Sequence, residues 1–206
     1  MSHPLTFTLL AAALLLGAAH SQTSLPPVAP GPAAAAPVAA PVAACIQQLS
    51  STAAISRSRA AKALATMGDA AHPAVPALVR ALADKDPFVA RDATGALGKL
   101  GRCAVPDLVA VLQSPNGNVR YRATMALSQI APKDQRAVKA LVHALHDPEV
   151  DVRRWAATAL DRIGMAGEGA VAGLIGALKD PDLTVRISAA VRWATWGRMP
   201  ATRRPR

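Results

Sequence analysis

The chain repeats itself, and that constrains its fold more than any other feature. Val138, Leu141, Val142 and Leu145 stand at i, i+3, i+4 and i+7, one face of an α-helix. The same spacing recurs at Val171, Leu174, Ile175, Leu178, at Val105, Leu108, Val109, Leu112, at Val75, Leu78, Val79, Leu82 and at Val42, Cys45, Ile46, Leu49. Fourteen residues after each leading valine a second helical face begins. Its copies are Val152, Ala156, Leu160, Ile163; Val185, Ala189, Trp193, Trp196; Val119, Ala123, Leu127, Ile130; Val89, Ala93, Leu97, Leu100; and, most weakly, Ser56, Ala60, Leu64, Met67. A small residue closes each unit, at Gly68, Gly101, Ala131, Gly164 and Gly197, so the steps are 33, 30, 33 and 33 residues. A unit of two short amphipathic helices cannot bury its apolar face alone, and stacking against copies of itself supplies the missing core.

Between the first (A) and second (B) helix of each unit lies a turn that opens with Ser51, Asp84, Ser114, Asp147 or Asp180. Such side chains accept from free backbone N–H groups at a helix start, and the proline that follows in three units is tolerated in a first turn. The expected units are 41–68, 73–101, 104–131, 136–164 and 169–197. Composition agrees with this. Hydrophobic residues make up 51% of the chain but aromatics only 3%, so the core is mostly Ala, Leu and Val. That suits closely packed helices and not a sandwich or barrel.

The segment Asp147 to Gly164, DPEVDVRRWAATALDRIG, resembles a HEAT-type repeat of the short kind named for phycobilisome lyases. The resemblance extends over 41–197. It implies an all-α, right-handed α-solenoid of five helix–turn–helix units, with the A helices on the convex face and the B helices on the concave one. It also implies that Arg57, Arg120, Arg153 and Arg186, which recur at one slot, pair with turn aspartates, here Asp84, Asp147 and Asp180, as a structural ladder. The sequence departs from the pattern at Val89-Ala90, in the loop into the third unit, which is three residues short, and in the last unit, with Arg192, Trp193 and Trp196.

The chain ends differ from the repeats. Residues 5–19 form a weakly polar to apolar run of 15 residues, shorter than a bilayer span and long enough for a secretory leader. Small residues follow, so 1–21 is expected to be a cleaved signal peptide, although its start lacks Lys and Arg. Residues 22–40 form a Pro/Ala-rich linker, because proline removes donors and stiffens the chain. Residues 198–206 form a basic, disordered tail. The expected location is the periplasm or the exterior, with no lipid-anchoring cysteine near the cleavage site and no membrane span in the mature protein. Net charge is +10 and no charged side chain precedes Arg57. A basic balance favours anionic partners without choosing among them.

Candidate chemistry is sparse. Cys45 takes a core position and Cys103 a loop. An exported chain with two cysteines invites a bridge. However, units one and three stand roughly two helix-packing distances apart, beyond the roughly 7 Å that disulfide geometry allows, which makes a buried free thiol at Cys45 the default. His143 and His146 with Asp147 could chelate a metal, but they lie off the apolar face and read as a solvated surface. No catalytic residue, metal site or cofactor is expected.

The flank of the B helices is the candidate site. It carries Arg59, Lys62, Lys99, Arg122, Trp155 and Arg162. A tryptophan that the core pattern does not require, set among arginines, has the character of a binding hot spot, and packing against the next repeat is the competing account. The expected function is a non-enzymatic scaffold of the cell envelope or exterior. It would bind a protein or peptide with an acidic rim through the B helices. The alternatives are an adaptor for an envelope polyanion or anionic membrane and, more remotely, a HEAT-like enzyme or lyase accessory subunit. Nucleic acid is set aside because a leader carries the chain away from it.

Overall fold

A computed structural model describes residues 39–131, 134–163 and 169–197. These residues form ten α-helices: α1 (Ala39–Gln48), α2 (Ala54–Leu64), α3 (Val75–Ala81), α4 (Pro87–Leu100), α5 (Val105–Val111), α6 (Gly117–Ile130), α7 (Gln135–Ala144), α8 (Val150–Ile163), α9 (Ala170–Ala177) and α10 (Leu183–Gly197). There is no strand among the described residues. The odd-numbered helices are the A helices and the even-numbered ones the B helices. The fold is a solenoid of five hairpins, and among the described residues no helix is long and apolar enough to cross a membrane. The expected leader and basic tail lie outside the described residues, as does the expected linker up to residue 38.

One slot on each helix type builds the core of the inner units. Leu64, Leu97, Leu127 and Leu160 of the B helices are fully buried, and so are Leu78, Leu108 and Leu141 of the A helices. Small residues then decide how closely the helices approach. Ala60, Ala93, Ala123, Ala156 and Ala189 recur on the B helices at 0–1% exposure. Without side-chain bulk there, successive B helices pack side by side along their lengths, whereas successive A helices meet over shorter stretches. Thr94 and Thr124 fill buried positions of this tight row, and each hydroxyl donates to the carbonyl four residues back. Neither leaves a polar atom unsatisfied.

The helices of the first unit depart from the expected 41–68. Helix α1 begins at Ala39, inside the expected linker, with Pro41 accommodated in its first turn. Helix α2 ends at Leu64, and a 3-10 segment, Gly68–Ala74, leads into α3. The equivalent segment before α5 is Gly101–Ala104. The two span seven and four residues, and that difference of three produces the single 30-residue step. Gly68 and Gly101 take positive φ, of 57° and 73°, where glycine avoids a side-chain clash. Ala131 closes the third unit in the ordinary helical region instead.

The turn chemistry also shifts by two residues. Ser51, Asp84, Ser114, Asp147 and Asp180 each accept from the backbone N–H two residues on, which closes the turn. The helix cap comes from the next slot. Asp86 accepts from the N–H groups of Phe88 and Val89, Asn116 from Asn118, and Asp182 from Thr184 and Val185. In the fourth unit that slot holds Glu149.

Candidate binding groove

The recurring arginines are two-sided clamps. Through Nη1 each donates to two carbonyls of its own turn: Arg57 to Ser51 and Thr52, Arg120 to Ser114 and Pro115, Arg153 to Asp147 and Pro148, Arg186 to Asp180 and Pro181. Through Nε and Nη2 three of them grip the next unit's aspartate in a bidentate fork. The pairs are Arg57–Asp84 at 2.6 and 2.8 Å, Arg120–Asp147 at 2.8 and 2.9 Å, and Arg153–Asp180 at 2.8 and 3.2 Å. The fork edge of Arg186 meets no carboxylate among the described residues. These groups serve the stacking and present little free surface, since the three paired arginine side chains are 8%, 9% and 14% exposed.

A groove of about 550 Å³ opens between α6 and α8. Gly117, Asn118 and Tyr121 line it from α6, Asp151, Val152, Arg154, Trp155 and Thr158 from α8, and Glu149 from the turn before α8. The indole of Trp155 meets the Tyr121 ring edge to face, at 6.0 Å between centroids and 70° between planes. Trp155 is therefore half-buried against the neighbouring repeat while still lining the groove. Its Nε1–H is shut in and finds no acceptor among the described residues. The ring thus offers carbon surface rather than a hydrogen-bond donor.

Charge at this groove departs from expectation. Arg122 does not stand beside Trp155: its Nη1 donates to the carbonyl of Leu82, forty residues back, at 2.8 Å. Arg154, absent from the expected site, donates Nε and Nη2 to Asp182 at 3.0 and 2.6 Å and Nη1 to Asp151 at 3.2 Å. The Arg154 fork, helped by the N–H groups of Val185 and Thr184, holds the Asp182 carboxyl well below the usual carboxylate range. Glu149 lies over Gly117, and a Cβ built at 117 would meet its Cγ at 2.6 Å. The rim is therefore carboxylate-rich, and the expected partner with an acidic rim does not suit this groove.

The other expected residues are scattered. Arg59, Lys99 and Arg162 are exposed and line no part of the groove. Lys62 pairs with Asp92 at 3.3 Å. Asp92 also accepts from Ser58, so the flank position of the second unit is occupied internally. His143 and His146 are exposed, and no group of three metal-ligating side chains converges among the described residues. Cys45 and Cys103 are both free and partly buried. Burial pushes the Cys103 thiol up, and its Sγ donates to the Leu100 carbonyl at 3.4 Å.

Tyr121, Glu149, Asp151 and Arg154 were not singled out from the sequence. One signal could have found Tyr121: the second position after a B-helix start meets the third position of the next unit. Ser58 bonds Asp92 across 34 residues, and Tyr121 meets Trp155 across the same interval.

Comparisons with known proteins place this architecture. The family profile described as HEAT repeats matches residues 42–109 and 105–192. A comparison with curated proteins finds no match. Among solved structures, the complex of CpcE and CpcF of phycocyanin lyase from Nostoc sp. PCC7120 is similar at 28% identity, over 65% of this chain and 84% of that one, with a TM-score of 0.54. A crystal structure of an engineered protein is 27% identical over 74% and 78%, with a TM-score of 0.49. A designed armadillo repeat protein in complex with the peptide (KR)4 is 21% identical over 78% and 84%, with a TM-score of 0.50. With the profile spanning most of the chain and the five hairpins stacked through one recurring core, the protein belongs to the HEAT-repeat family.

Proposed function

We propose that this repeat scaffold is a non-enzymatic holder of an extended peptide segment from a protein partner, bound along the B helices and outside the cytoplasm. The observation that carries the reading is the groove between α6 and α8, walled by Tyr121 and Trp155, on the tighter row of the solenoid. In a curved stack the closer-spaced row is the inner one, and a concave row of helices is the extended binding surface that solenoids use. A partly buried aromatic pair with polar neighbours is the composition of an interface hot spot. The location rests on the leader at 1–21 alone.

Two measurements test this. A photoreactive side chain at position 118, on the lip of the groove, should capture a polypeptide in the native compartment. Capture only from the A helices, for instance from position 143, would overturn the assignment of the face. The intact mass of the exported protein should correspond to a start near His20 or Gln22, and a full-length cytosolic species would refute the location. The likeness to the phycocyanin lyase pair supports a second reading, an enzyme's accessory subunit. Capture of an enzyme subunit rather than a peptide segment from position 118 would favour it.

A further inference from the structure

We propose that the Tyr121–Trp155 groove accepts a lysine or arginine side chain of the bound peptide, with the two rings as its wall and Glu149 and Asp151 as its counter-charges. This deepens the scaffold reading and rests on it.

The first argument is charge. The chain as a whole is strongly basic, at +10, yet the groove is locally acidic. Glu149, Asp151 and Arg154 line it, and Asp182 stands directly behind Arg154. Two carboxylates, Glu149 and Asp151, thus share the lining with one guanidinium, and that guanidinium is already held by three hydrogen bonds to Asp182 and Asp151. An anionic guest would meet the Glu149 carboxylate, which has no ion-pair partner among the described residues, beside a guanidinium already engaged by two aspartates. A cationic guest completes the balance.

The second argument is the origin of the Glu149 charge. At the equivalent slot Asp86, Asn116 and Asp182 turn back to cap their own helices. Glutamate is one methylene longer, and its side chain lies across to α6. The third unit has Gly117 at that crossing, and any Cβ there would collide with the Glu149 Cγ. The pairing of glutamate in one unit with glycine in the one before brings a carboxylate to the groove instead of spending it on a cap.

The third argument is the aromatic wall. With its Nε1–H shut in, Trp155 presents ring surface alone. A ring surface beside carboxylates is the combination that attracts ammonium or guanidinium groups, through the ring quadrupole and the counter-charge together. The groove volume, about 550 Å³, accommodates one long side chain and part of its backbone.

The test is a nuclear magnetic resonance titration of the full-length, isotope-labelled protein. The probes are the capped tripeptides Ac-Gly-X-Gly-NH2, with X as arginine, lysine, citrulline, norleucine or glutamate. Trp155→Phe assigns the Trp155 indole signal. Arginine and lysine probes should shift the Trp155 and Tyr121 signals saturably, with citrulline and norleucine weaker by roughly tenfold and glutamate showing no binding. In Glu149→Gln/Asp151→Asn the arginine probe should fall to the citrulline level. Arg154 keeps Asp182 in that variant and loses only its exposed pair with Asp151, so its unfolding should stay cooperative and close to the parent's. Equal affinity for arginine and citrulline, or for arginine in the parent and the double variant, overturns the cationic guest and leaves the peptide groove standing. If no probe shifts the groove, or shifts appear only along the A helices, both the guest and the scaffold reading fall.

Discussion

Ala90 and Ser114 replace, together, the arginine and aspartate found at the other internal joints of the stack. Asp84, Asp147 and Asp180 each follow a unit that supplies a clamp arginine, whereas Ser114 follows one that does not, and Ser51 opens the first unit. The exchange obeys the energetics of partly buried ion pairs. A lone carboxylate or guanidinium in that position lacks its counter-charge, and losing both partners costs less than losing one. At this joint the tie runs backwards: Arg122 of the third unit reaches to the Leu82 carbonyl of the second. Arg122 is therefore a fastening of the stack.

That relationship predicts a double-mutant cycle at the next joint. Arg120→Ala leaves Asp147 without its fork and should cost about 1–3 kcal/mol, the range for stranding a partly buried charged hydrogen-bond partner. Arg120→Ala combined with Asp147→Ser recreates the Ala90–Ser114 joint and should be more stable than the single variant. Urea unfolding of the four proteins measures the coupling. A double variant less stable than Arg120→Ala alone would show that the fork does not act as a unit.

Acid should weaken the stack within a definite window. The Arg57 fork lowers Asp84 against the opposing effect of burial. Burial alone would raise Asp180, but the Arg153 fork and the Asp182 N–H overcome it and hold that group low as well. Asp182 is held lower still by Arg154. A carboxyl whose folded value lies below its unfolded one contributes stability above the unfolded value, roughly 3.9, and loses it as pH falls toward the folded value. Melting temperature should stay level from pH 7 to about 5 with respect to these groups, then fall steeply below about 4. Asp180→Asn should lower stability at neutral pH and flatten the decline. A decline complete by pH 5 would assign acid sensitivity to other groups.

Gly117→Ala separates stability from recognition. The position opens α6 with ordinary negative φ, so alanine suits the backbone and should not lower the melting temperature, with a gain of no more than about 1 kcal/mol. Its methyl group, however, takes the space of the Glu149 Cγ. The displaced carboxylate should leave the groove, and the affinity for an arginine-bearing probe should drop toward that of Glu149→Gln. Unchanged affinity would show that Glu149 contributes its charge from elsewhere.

The repeat was legible because each of its signals recurs at one slot. Leu64, Leu97, Leu127 and Leu160 share a position and share complete burial. The clamp was legible from the resemblance, since Arg57, Arg120 and Arg153 each stand 27 residues before their aspartate. The groove was not legible, because it rests on residues that do not recur at one slot: Tyr121 and Trp155 have no like residue, and Glu149 no second glutamate, at the equivalent positions of the other units. It depends on contacts between units, with Tyr121 set against Trp155 while Arg122 reaches a carbonyl of the preceding unit. Its charge depends on a glutamate and a glycine in different units, a pairing that helical periodicity does not register.

Trp155 itself gives the sharpest contrast between two substitutions. Its indole packs against Tyr121, so Trp155→Ala removes buried ring surface and opens the joint between α6 and α8. Half-buried as it is, that change should cost about 1–3 kcal/mol, below the 3–5 typical of fully buried rings. Trp155→Phe behaves differently. The Nε1–H has no acceptor, so phenylalanine forfeits no hydrogen bond and relieves a shut-in donor, whose burial costs about 1–3 kcal/mol. That relief offsets the loss of ring volume, and Trp155→Phe should unfold within about 1 kcal/mol of the parent. Because phenylalanine keeps a ring face beside Glu149 and Asp151, it should also retain most of the affinity for an arginine-bearing probe, whereas alanine should not. Thermal unfolding and titration of both variants decide the matter. A phenylalanine variant as unstable as the alanine one would mean that the indole N–H is hydrogen-bonded in solution, and that the groove presents a donor as well as a ring.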